Sequence, residues 1–112
     1  MAKEKQSTDM PVAMPDGLTR AQVEAAVERA ARTVGLYISH IGGYSRRKFP
    51  NSVHWHFKRD PGERGLIDAT YWDVKQLFWL MVRHREPDWV HAFAPKLRRA
   101  LQRELAAETG RS

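Results

Sequence analysis

Between Ser52 and His84 three β-type runs follow one another, joined by connections too short for a crossover. Such runs can only pair as an antiparallel meander. Ser52–Arg59 alternates cleanly, with Val53, Trp55 and Phe57 on one face and Ser52, His54, His56 and Lys58 on the other. Asp60-Pro-Gly-Glu-Arg-Gly65 is a turn by composition, since Pro fixes φ and Gly supplies positive φ. Leu66–Trp72 reads as the next strand, Asp73–Lys75 as a tight connection, and Gln76–His84 as the third strand.

Helical periodicity brackets this meander. Thr19-Arg-Ala-Gln22 fits a capping box, and Ala21, Val23, Ala26, Val27, Ala30 and Val34 form a small-sided apolar stripe that ends at Gly35. Leu36–Ile41 is a short β-rich run closed by Gly42-Gly43, and residues 44–51 form a long loop. Val90, Phe93, Leu97, Leu101 and Leu105 mark a last helix over Asp88–Glu108. Asp88 is its expected cap, and Pro95 predicts a kink or a late start. Residues 1–16 are polar, carry two prolines and lack periodicity, so they read as a disordered or loosely held tail. The expected fold is one α+β domain over 17–112, ordered α-β-β-β-β-α, with a four-stranded antiparallel sheet and both helices on one face.

Composition narrows the function classes. A chain of 112 residues is long enough for a modest core, and the absence of cysteine excludes disulfides, thiolate metal sites and a cysteine nucleophile. No apolar run reaches the length of a membrane span, and the N-terminal residues lack a signal-peptide pattern, so a cytoplasmic protein without membrane contact is expected. The net charge is +6, and its distribution is uneven. Residues 1–35 hold five positive and five negative side chains; residues 36–112 hold fourteen and eight. The whole excess lies around the sheet, the long loop and the last helix, which points to an anionic partner.

The second sheet face is the informative one. Asp68 and Thr70 are poor core residues, so Ile67, Ala69 and Tyr71 should face the helices together with Phe78, Leu80 and Val82. The other face then gathers His54, His56, Lys58, Asp68, Thr70, Trp72, Trp79, Met81 and Arg83. Two Trp beside cations suit an interface. The preferred reading is binding of RNA or single-stranded nucleic acid: Trp72 and Trp79 stack bases, while Arg46, Arg47, Lys48, Lys58 and Arg83 contact phosphate. A protein-interaction module or a homodimer through the same face is the alternative. A third reading takes His54 and His56, two imidazoles on one strand face, as metal ligands with Asp68 or His84, or as the acid and base of a hydrolase. No cofactor is expected, because Gly42-Gly43 is too short for a phosphate-cradling loop and no serine sits in a nucleophile-elbow pattern. The balance of these readings leans away from an enzyme.

The α–sheet–α order is loosely similar to that of double-stranded-RNA-binding domains. Those domains have three strands and a Lys-rich start to the second helix. Here four strands are expected and the helix opens with Asp88-Trp-Val-His91, so no residue of that family is carried over.

Overall fold

A computed structural model describes residues 6–43 and 47–110. Its elements are β1 (Ser7–Pro11), α1 (Arg20–Thr33), β2 (Tyr37–Gly42), β3 (Val53–Lys58), β4 (Ile67–Trp72), β5 (Leu77–Arg83) and α2 (Asp88–Glu108). The strands form one antiparallel sheet in the order β1-β5-β4-β3-β2. The meander of β3, β4 and β5 is as the short connections require. The strand count is not: the sheet has five strands rather than four. The fifth comes from Ser7–Pro11, inside the stretch read as a tail, which pairs with β5 from Ser7↔Arg83 to Pro11↔Trp79. Its partner is an edge that the four-stranded sheet would leave open, so backbone hydrogen bonding recruits a segment with no hydrophobic pattern of its own.

The core confirms the assigned faces. Val53, Trp55 and Phe57 of β3, Ile67, Ala69 and Tyr71 of β4, and Phe78, Leu80 and Val82 of β5 are all buried in one cluster. The helices close the same cluster with Val23, Ala26, Val27 and Ala30 of α1 and Val90, Leu97, Leu101 and Leu105 of α2. The alanines of α1 allow the close approach that a longer side chain would prevent. Arg29 ties the two helices together, donating from Nε to Glu104 Oε1 at 2.7 Å and from its terminal nitrogen to the buried Glu108 carboxylate.

The helix ends agree in part with the sequence. Thr19 and Gln22 make both capping-box bonds, and Gly35 adopts φ +77° after α1. At α2 the cap is Pro87, and Asp88 lies in the first turn, where its charge faces the helix N-terminus. Pro95 sits within an α2 that starts at Asp88, so the late start does not occur. No helix among the described residues is long and apolar enough to cross a membrane.

The turn between β3 and β4 depends on one glycine. Gly65 has φ +105°, and a Cβ there would stand 2.6 Å from Pro87 Cγ and 2.9 Å from Trp89 Nε1. That same indole donates to the Arg64 carbonyl at 2.8 Å, locking the turn onto the start of α2. Gly65→Ala is therefore expected to cost about 2–4 kcal/mol, from the disfavoured φ together with the overlap. Urea unfolding measures it, and a variant within 0.5 kcal/mol of the parent contradicts this account, by the usual scatter of neutral surface changes of about that size.

Candidate metal centre

The sheet register builds the site. The pairing of β3 with β4 sets His54 opposite Thr70 and His56 opposite Asp68, and β4 with β5 sets Asp68 opposite Met81 and Thr70 opposite Trp79. Directly opposed residues share a face, so these side chains all project away from the helices. His54, Asp68 and Thr70 are nonetheless buried, at 7%, 2% and 2% exposure.

Three donor atoms converge there. His54 Nε2 lies 2.9 Å from Asp68 Oδ1, His56 Nε2 lies 3.0 Å from the same oxygen, and the two Nε2 atoms are 3.1 Å apart. The outer atoms of each group are also held. His54 Nδ1 is 2.8 Å from Thr70 Oγ1, and Arg83 donates to Asp68 Oδ2 at 2.6 Å. Burial by itself pushes the Asp68 carboxyl up, but the His54 hydrogen bond and the Arg83 charge outweigh it and hold the group below the usual carboxylate range. Burial lowers the His56 imidazole; Asp68 opposes this, while His54, His40 and Arg83 lower it further. The result is an ionised carboxylate beside a neutral imidazole, the states in which these groups ligate metals.

The contacts are hard to satisfy with hydrogen alone. Each of the two facing nitrogens carries at most one proton and the carboxylate carries none, so three close contacts share at most two protons. One divalent cation in contact with all three lone pairs removes the conflict. A cation about 2.1 Å from three atoms that lie about 3 Å apart subtends angles near 90° between them, the face of an octahedron. His54, His56 and Asp68 form a group with metal-ligand spacing. Of the two third ligands considered from the sequence, Asp68 belongs to it. His84 lies elsewhere, with its Nε2 3.1 Å from Thr8 Oγ1.

The proposed nucleic-acid residues are divided. Trp72 and Trp79 stand together, half-buried, with the Phe49 ring against both at 5.0 and 5.3 Å between centroids. Phe49, from the long loop, thus covers part of the face read as open, and Trp72 Nε1 is a buried donor with no partner among the described residues. Lys58 donates to the Glu63 and Gly65 carbonyls at 2.9 and 3.2 Å, which supports the turn, and Arg83 is held by Asp68. Arg47 and Lys48 are exposed on the loop; Arg46 lies outside the described residues.

Two participants escaped the sequence reading, and so did the role of a third. Thr70 was placed on this face as a poor core residue, with no sign of its contact with His54. Phe49 carried no signal, because nothing in an aperiodic loop says where its aromatic lands. His40 pairs with His56, at 5.0 Å between ring centroids, through a register shift between Ile38 and His40 that period-two reasoning cannot foresee. In comparisons with known proteins, no family model, no curated protein and no solved structure matches this chain.

The aromatic cover is testable by itself. Trp55 and Trp89 are buried in the core, so fluorescence that becomes more accessible must come from Trp72 and Trp79. Phe49→Ala is expected to keep the fold, lose about 1–3 kcal/mol of stability and raise acrylamide quenching. Unchanged quenching shows that Phe49 does not shield them.

Proposed function

We propose that this protein binds one divalent first-row transition metal through His54, His56 and Asp68, and that the centre is of the catalytic kind, in which protein ligands leave positions open for water and substrate. The carrying observation is the triangle of two imidazole nitrogens and one carboxylate oxygen, with every edge between 2.9 and 3.1 Å. Two histidines and one carboxylate on a single face, with open positions opposite, suit iron, manganese, cobalt or zinc. The outer contacts strengthen the reading. Thr70 fixes the orientation and tautomer of His54, and Arg83 holds the distal oxygen of Asp68, as supporting groups around metal ligands commonly do. Access is from the His56 side, whose side chain is 30% exposed. A metal open to solvent on that side lowers the pKa of bound water and supplies a hydroxide nucleophile, so hydrolysis is the reaction class that suits these residues.

The test is metal loading. Protein stripped with chelator and titrated with Co²⁺ should take up one equivalent and develop a visible d–d absorption. His54→Ala, His56→Ala and Asp68→Ala should each abolish that uptake while far-ultraviolet circular dichroism stays unchanged. Thr70→Val should weaken affinity by about 10–100-fold, the usual cost of losing a group that orients a ligand. Equal Co²⁺ uptake by the parent and His54→Ala ends the proposal.

A further inference from the structure

Metal binding leaves the neighbours of the triad unexplained. His40 is the first of them. With unbroken pairing from Tyr37↔Lys58 and Ile38↔Phe57, Ser39 would oppose His56 and His40 would turn toward the helix face. The shift after Ile38 inserts one residue and brings His40 opposite His56 instead. Bulges of this kind re-aim a side chain. The ring then lies across Gly42, opposite His54: a Cβ on Gly42 would be 2.8 Å from His40 Nε2. A bulge and a missing side chain, two separate departures from a regular strand, combine to set one more imidazole beside His56.

The other side of the triad is aromatic and cationic. Trp79 lies in the same cross-strand row as Thr70 and His54, two strand spacings or about 10 Å from His54, and Phe49 packs on it. Arg83 gives one N–H group to Asp68 and its side chain is 53% exposed, which leaves guanidinium surface for an anion. Residues 36–87, which hold the long loop and four of the five strands, carry nine Lys and Arg against five Asp and Glu, so +4 of the net charge of +6 belongs to them.

Resting on the metal reading, we infer that the centre hydrolyses phosphodiesters of single-stranded nucleic acid. The oxygen of metal-bound water forms a bond to phosphorus while the bond from phosphorus to the leaving sugar oxygen breaks. That oxygen takes a proton from solvent as it leaves, and the attacking water gives its proton to solvent. The metal and Arg83 meet the charge on the non-bridging oxygens. Rings beside the reacting phosphate favour an unpaired base, which a duplex keeps stacked inside.

The experiment uses the Co²⁺- or Mn²⁺-loaded full chain with end-labelled single-stranded RNA, single-stranded DNA, duplex DNA and the small diester bis(4-nitrophenyl) phosphate. At least one single strand should be cut, the duplex at least tenfold more slowly, and chelator should stop cleavage. His40→Ala should keep its equivalent of metal and cut at least about tenfold more slowly, as loss of a hydrogen-bonding group aimed at the reacting phosphate predicts. Trp79→Ala should impair cleavage of the strand and spare the small diester. A metal-loaded protein that cuts neither RNA nor DNA strands overturns this inference and leaves the metal centre standing, even if the small diester is cleaved. Failure to bind metal overturns both. Cleavage that survives His54→Ala belongs to a contaminant and overturns it as well, and an unimpaired His40→Ala removes the role of His40.

Discussion

The pairing register of β3 with β4 is the constraint from which the rest follows. It sets Trp55 against Ala69 and Phe57 against Ile67 on the helix side, and His54 against Thr70 and His56 against Asp68 on the other. Because side chains alternate with period two, a slip of one residue would send the aromatic rings to solvent and drive the imidazoles and the carboxylate into the core. The burial of Trp55, Phe57 and Ile67 therefore enforces the geometry of the polar triad behind them. Hydrophobic burial on one face thus holds the strand positions from which the imidazoles and the carboxylate meet on the other.

The two faces use burial differently. On the helix side, apolar side chains leave water and the packing is close. On the other side no helix among the described residues lies over the sheet, yet Asp68 and Thr70 are almost inaccessible. They are buried by one another and by their neighbours: the imidazoles of His54 and His56, the guanidinium of Arg83 and the half-buried aromatic and thioether side chains nearby. A buried carboxylate must be compensated, and here two imidazoles and an arginine supply the partners. This arrangement suits reactive chemistry, because the local dielectric is low while the rim remains open at His56.

Much of this was legible in the sequence. The alternation of Val53, Trp55 and Phe57 identified β3 and its inward face, and the awkwardness of Asp68 and Thr70 as core residues oriented β4. The Thr19–Gln22 capping box and Gly35 bounded α1. The joint membership of His54, His56 and Asp68 was visible as a possibility, but it needed the β3–β4 register, which depends on how turn residues 59–66 close. Other features have no local signature. Ser7–Pro11 is polar because it lies at an edge, so it lacks the alternation by which strands are found. The bulge at Ser39 is set by pairing with β3 and not by the composition of Tyr37–Gly42. Lys58 and Arg83 were read as phosphate contacts, and a cation in a sequence does not reveal that Lys58 also meets the Glu63 and Gly65 carbonyls or Arg83 the Asp68 carboxylate.

The edge strand β1 has a consequence for how the chain is made. Its backbone partner is β5, so Thr8 waits for Val82. Ser7–Pro11 precedes the other described strands in the sequence, yet its partner is the last of them. Loop closure over such a separation is entropically slow, and contacts of this range delay folding more than local ones do. During that interval the outer edge of β5 presents unpaired backbone groups to any neighbouring chain. Once paired, Ser7–Pro11 covers that edge and removes it as a template for misassembly.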